Sequence, residues 1–215
     1  MDDLTVPDFC FRVECSTPGN PKAGGSANGI LLEREHGWFA VNKHFITAGS
    51  EHFVVIPHTG KSHRLIVHKH LINKHADVAL VCLEDKSVMP CVVLPEFAEP
   101  PTKLIEKLWL TGRQRPADRV IQAKFLLYPV SAGHLGNPIR FDDYERSIMF
   151  GMRGNSDDIN GLSGSPLLND AGKVVGILTQ SKLSVAFATP AFEITNLLKK
   201  ALEKSAGGFF GRWFN

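Results

Sequence analysis

Three short segments carry residue types that could do chemistry together. Gly161-Leu162-Ser163-Gly164-Ser165-Pro166 sets a serine between glycines, directly ahead of an apolar run from Pro166 to Leu168. Glycines free the local backbone to turn its N–H groups toward a developing oxyanion. Upstream, in order, lie Gly37-Trp38-Phe39-Ala40-Val41-Asn42-Lys43-His44 and His75-Ala76-Asp77-Val78-Ala79-Leu80-Val81. A serine is a poor nucleophile near neutral pH, so a histidine must take its proton and a carboxylate must hold that imidazole in the right tautomer. Asp77, placed before Val78-Ala79-Leu80-Val81, suits a buried, hydrogen-bonded carboxylate. His44, Asp77 and Ser163 therefore read as a triad. His44 and Asp77 are 33 residues apart and Ser163 comes 86 further on, so one structural half can supply the first two and another the serine.

The elements that must position these residues are short strands. Apolar runs punctuated by glycine and proline fall at Phe9 to Val13, Gly29 to Leu32, Trp38 to Val41, Phe53 to Ile56, Arg64 to Val67 and Val78 to Leu83. A second series runs Leu108 to Thr111, Val120 to Leu127, Ser147 to Met152, Pro166 to Leu168, Val174 to Thr179 and Val185 to Ala188. Residues 95–103, proline-rich and acidic, separate the two series as a linker that cannot be a central strand. Asn169-Asp170-Ala171-Gly172 reads as a hairpin turn. Thr189 as cap and Pro190 at the first helical position open an amphipathic helix with Ile194, Leu197, Leu198, Ala201 and Leu202 on one face. The expectation is an all-β chain: a barrel over 1–94, the linker 95–103, a second barrel over 104–190, a helix over 191–206 and an aromatic tail over 207–215.

At 215 residues and 43% hydrophobic, the chain can bury a sizeable core. A net charge of +2 without a long basic run gives no electrostatic case for nucleic acid. The acidic opening Met1-Asp2-Asp3 and the lack of an 18-residue apolar run predict neither a signal peptide nor a membrane span, hence an intracellular location unless the chain is cut from a larger precursor. Cys10, Cys15, Cys82 and Cys91 show no CxxC spacing and read as free thiols of a reducing compartment.

The three motifs in this order resemble the chymotrypsin-fold, trypsin-like serine proteases, and most closely the HtrA-type branch. Gly37 to His44 is similar to that branch's glycine, apolar strand, Asn-Asn-His segment, and the register continues through Ser50-Glu51-His52-Phe53-Val54-Val55 and Thr59-Gly60. Asp77-Val78-Ala79-Leu80, Gly161 to Leu168, Gly172 to Ile177 and Val185 to Pro190 also match, so the likeness covers about residues 25 to 204. Its Gly-Ser-Pro ending is similar to several viral chymotrypsin-like, 3C-like proteases. The resemblance implies two six-stranded antiparallel β-barrels with a C-terminal α-helix. It further implies peptide-bond hydrolysis through an acyl-enzyme, without metal or organic cofactor, on a protein or peptide substrate. Ser163 would be the nucleophile, His44 the base and Asp77 its orienting partner. The N–H groups of Gly161 and Ser163 would form the oxyanion hole. The strand Ser184, Val185, Ala186, Phe187 would take the substrate main chain by edge-on pairing, with Val185 and Phe187 walling the primary pocket; a small or medium apolar substrate residue is the default there, and Asp157, with Asp158 beside it, is the alternative as a pocket acid for a basic one.

Departures from the family pattern are informative too. Leu162 stands where digestive enzymes carry the acid that a freed N-terminus engages, which argues against that mode of activation, and no PDZ-like module comes after the helix. Ile46-Thr47-Ala48-Gly49-Ser50 also resembles the Thr-Ala-Ala-His box, a register that puts Ser50 in the histidine position and makes the chain an inactive, peptide-binding homologue. His52 is a further base candidate. His63, His68, His70 and His75 cluster before Asp77, and His68 and His70 share a strand face, but no matching Cys or acidic pair accompanies them, so they read as solvent-facing rather than metal ligands. The tail Gly207-Gly208-Phe209-Phe210-Gly211-Arg212-Trp213-Phe214-Asn215 reads either as packed on the body or as a contact for a membrane interface or a partner.

Overall fold

A computed structural model describes residues 6–46, 49–57, 59–99, 108–114, 121–129, 139–141, 144–152, 161–182 and 185–210, with backbone alone at 20–23, 114, 121–129, 139–141, 144–146, 151–152, 182 and 206–210. Six strands form the first half: β1 (Cys10–Thr17), β2 (Asn20–Glu33), β3 (Trp38–Val41), β4 (Glu51–Ile56), β5 (Lys61–Ile72) and β6 (Ala79–Leu83). They close into an antiparallel barrel in the order β1-β2-β3-β6-β5-β4, with β4 returning to β1. Side chains alternate across a strand. In β3 and β6 the alternation has an unusual outcome, because both faces are buried. Phe39, Val41, Ala79, Val81 and Leu83 point into the barrel with Phe11, Val13, Val54 and Ile56. Trp38, Ala40, Leu80 and Cys82 point outward into a second core shared with Leu168, Val174 and Ile177.

Those last residues belong to the other half. Its strands are β7 (Leu108–Gln114), β8 (Ile121–Pro129), β9 (Ile139–Phe141), β10 (Tyr144–Met152), β11 (Pro166–Leu168), β12 (Val174–Lys182) and β13 (Val185–Pro190). They form a seven-stranded sheet in the order β13-β12-β11-β7-β8-β10-β9, and β13 pairs with β10 as well. The helix α1 (Ala191–Phe210) lays Ile194, Leu197 and Ala201 into the core between the halves. Leu110, Ile148, Leu162, Leu167, Val175 and Leu178 make a separate core within the sheet.

The mostly-β body and terminal helix agree with the sequence reading, and each of the twelve expected strands has a counterpart. The differences have local causes. Pro190 ends β13 instead of opening the helix: Thr189 is still paired with Ile177, and its hydroxyl is spent on Asp77 rather than on a cap. The helix continues through Gly207 and Gly208 to Phe210, beyond the expected end. Glu96 to Ala98 of the linker lie alongside Val174 as one parallel bridge, with Val174 donating to the Glu96 carbonyl at 2.7 Å and Ala98 to the Val174 carbonyl at 2.9 Å. The short β9 had no apolar run to reveal it. Residues 211–215 of the expected tail lie outside the described residues.

Candidate active site

The pairing of β3 with β6 sets Val41 opposite Ala79. The C-terminal exit of β3 and the N-terminal approach to β6 therefore meet at one end of the barrel. Lys43–Phe45 turns as a 3₁₀ segment there, and Asp77 arrives fully buried. His44 Nδ1 lies 2.7 Å from Asp77 Oδ2, and the His44 main-chain N–H donates to Oδ1 at 2.9 Å. Asn42 Nδ2 donates both to Oδ2 at 3.1 Å and to the Asp77 carbonyl at 3.2 Å. The Thr189 hydroxyl reaches that same carbonyl from the other half, at 3.2 Å. A carboxylate so placed accepts, so Nδ1 carries the proton and Nε2 keeps a lone pair. The imidazole is 42% exposed while its partner is fully covered, so the ring is oriented from behind and open in front.

Ser163 comes from the loop between β10 and β11. Ser165 N–H closes the turn onto the Leu162 carbonyl at 2.9 Å, and β12 holds it through Gly164 N–H to the Leu178 carbonyl at 2.7 Å. Gly164 has φ +80°, and a Cβ there would land on the carbonyl oxygen of Asn28, so the position admits only glycine. Leu162 is fully buried in the sheet core, where a carboxylate would be stranded among leucines. The backbone N–H groups of Gly161 and Ser163 make no hydrogen bond within the described residues.

Ser163, Gly161 and His44 open onto one cavity of about 500 Å³, which Cys15, Gly25 and Ser50 also line. His44 is thus the residue set on Asp77, whereas Ser50 lies on the cavity wall. The Ser163 hydroxyl donates to the Thr179 carbonyl at 3.1 Å, and no hydrogen bond joins it to His44. His52 is enclosed within the barrel wall, its Nε2 3.2 Å from the Phe45 carbonyl, and burial holds its pKa below the usual histidine value despite that bond.

Asp157 and Ser184 lie outside the described residues. Val185, Ala186 and Phe187 pair on one side with Lys182, Ser181 and Gln180, and on the other with Gly151, Phe150 and Met149. The edge-on role expected of this strand therefore fails: both its flanks are occupied. The edge left open beside the serine, among the described residues, belongs to β12 at Gln180–Lys182, beyond the last β11 pairing at Ile177. In the histidine cluster His70 and His75 are exposed as expected, and His68, half-buried, differs. His68 lies against Trp38, with Nε2 3.2 Å from Cys82 Sγ, on the outward face of the barrel that Trp38 and Cys82 share. Among the described residues, the one trio of potential metal ligands within 4.8 Å is Glu33, Glu35 and His36, at the β2–β3 turn. All four cysteines are free, and no described helix is long and apolar enough to cross a membrane.

No family model matches this chain, and no curated protein matches it. Solved structures do. The Rv3671c protease from M. tuberculosis in its active form superposes with a TM-score of 0.66 at 16% identity, over 91% of this chain and 81% of that one. The fold is chymotrypsin-like. A serine-to-alanine variant of Rv3671c from M. tuberculosis H37Rv, in an inactive form, superposes at 0.62 with 16% identity, over 91% of this chain and 88% of that one. At such identity the likeness carries the fold alone. Three residues of the site were given no site role in the sequence: Asn28, Asn42 and Thr189, the last read as a helix cap. The one signal for Asn28 and Asn42 there is an amide of low strand propensity at an apolar run.

Proposed function

We propose that the chain is a serine endopeptidase of the trypsin-like, HtrA-resembling kind, cleaving a protein or peptide substrate through an acyl-enzyme. The observation that carries this reading is the buried Asp77 carboxylate on His44 Nδ1, with Nε2 left free at the cavity that Ser163 shares. Ser163 Oγ turns from the Thr179 carbonyl toward Nε2, attacks the scissile carbonyl carbon and passes its proton to His44. The oxyanion forms against the N–H groups of Gly161 and Ser163. The C–N bond then breaks as His44 protonates the leaving amine, and water, deprotonated by the same nitrogen, releases the acyl group. Resting nucleophile–base contacts are often loose and tighten with substrate bound.

The substrate main chain would pair with β12 at Gln180–Lys182, with Val185 and Phe187 near the primary pocket. Asp157 remains the candidate for recognising a basic residue there. The β13–β10 pairing supports the second sheet as the second barrel of the fold. No metal or organic cofactor enters this chemistry.

A second reading has its own observation. The Ser163 hydroxyl engaged by Thr179 suits an inactive homologue that binds peptides. Labelling with a fluorophosphonate probe separates the two. Labelling of the wild type, abolished in Ser163→Ala and His44→Ala, is expected; folded wild type that stays unlabelled would favour the inactive homologue.

A further inference from the structure

Asn28 sits in β2 of the first barrel and is fully buried. Its Nδ2 donates to the carbonyls of Arg113, at 3.0 Å, and Gly161, at 3.1 Å. Its Oδ1 accepts from the Arg113 main-chain N–H at 2.7 Å and faces the Cys10 thiol at 3.6 Å. Both amide hydrogens and the oxygen are thus used. Burial pushes the Cys10 thiol up to about 12, so it stays protonated as a donor. Donors surround the oxygen and acceptors surround the nitrogen, which fixes the amide in one orientation. The Asn28 main-chain N–H adds a bond to the Ser163 carbonyl at 2.6 Å.

Asn28 therefore holds Gly161-Leu162-Ser163 by the carbonyls at its two ends, while the middle carbonyl, of Leu162, is taken by Ser165. Every carbonyl of the tripeptide is engaged, and the N–H groups of Gly161 and Ser163, two residues that line the cavity, have no partner among the described residues. We propose that Asn28 is a positioning residue for oxyanion stabilisation, fastening this loop from the first barrel so that those two N–H groups stay turned toward the reacting carbonyl. Without the carboxamide, the half-buried Gly161 carbonyl is an acceptor lacking its partner, and the peptide plane rotates to find another. Gly161, at φ +82°, offers little resistance to that rotation. The proposal rests on the serine-hydrolase reading.

The test compares wild type with Asn28→Ala, the isosteric Asn28→Asp, which loses both donors, and Cys10→Ala, which touches the same carboxamide but leaves its backbone bonds. Thermal melts establish folding. On a peptide cleaved by wild type, Asn28→Ala and Asn28→Asp should lower kcat by about 10²–10³ with KM within about threefold, the signature of a lost transition-state interaction. A peptide boronic acid, whose adduct places an oxygen in the hole, should weaken by a similar factor, and Cys10→Ala should match wild type. A folded variant whose kcat and boronate affinity stay within about threefold of wild type would overturn the proposal. Asn28→Ser is read in the same way should the first two variants not fold. If wild type neither cleaves nor labels, the protease reading falls by itself. Crystal structures of wild type and Asn28→Ser then decide the clamp: a displaced Gly161 carbonyl supports it and an unmoved one overturns it.

Discussion

At the scale of single residues, the roles proposed for His44, Asp77 and Ser163 are unequal, and substitution should separate them. Ser163→Ala and His44→Ala should each lower turnover of a peptide substrate by on the order of 10⁶, whereas Asp77→Ala should cost about 10⁴, since it orients rather than reacts. Steady-state kinetics with active-site titration checks the order; His44→Ala equal to wild type would remove it from the site. These three candidates could be picked out because each chemistry-bearing type sits beside its own apolar run. Asn42, Asn28 and Thr189 could not, because a buried amide or hydroxyl declares its role only through the carbonyls that folding brings to it. Thr189 read as a helix cap for want of any sign that Asp77, 112 positions earlier, would take its hydroxyl.

At the scale of elements, turns carry the site and strands hold the turns. Gly164→Ala sets a methyl against the Asn28 carbonyl at a positive φ, so it should both destabilise the fold by several kcal/mol and displace Ser163. A lower melting temperature with lost probe labelling is expected; an unchanged melt would contradict that contact. The turn bearing His44 is braced by His52, whose ring packs edge-on against Phe45 and bonds its carbonyl. Burial lowers the folded-state pKa of His52 below 6.5, so the unfolded chain takes up the proton first. Stability should therefore fall as pH drops below about 6.5 toward the lowered folded value. Melts from pH 8 to 5 should show a shallower slope for His52→Gln than for wild type. Strand positions were readable from alternation and punctuation. The pairing of β13 on both sides was not, since period-two patterning says which face is buried but nothing about which edges are taken.

At the scale of the whole molecule, the core between the halves is as consequential as the core within either. Ile194 is fully buried there, against residues from both halves. Ile194→Ala should cost about 2–5 kcal/mol, measured by chemical denaturation, and the loss should reach the first barrel as well as the sheet. A loss under about 1 kcal/mol would mean that the helix is an accessory. The continuous apolar runs Trp38 to Val41 and Val78 to Leu83 showed in the sequence that these strands were buried; they did not show that one of their faces belonged to the neighbouring half.

That shared face gives the molecule a direction in time. A chain emerging from the ribosome completes β3 and β6 long before β12 and α1 exist, so the outward row of Trp38, Ala40, Leu80 and Cys82 waits uncovered while about a hundred residues are still being synthesised. His44 and Asp77 can meet early, but Thr189 closes over Asp77 and Ser163 joins the cavity only after the second sheet has been made. The first barrel thus carries an adhesive face that only the strands and helix α1 of the second half cover.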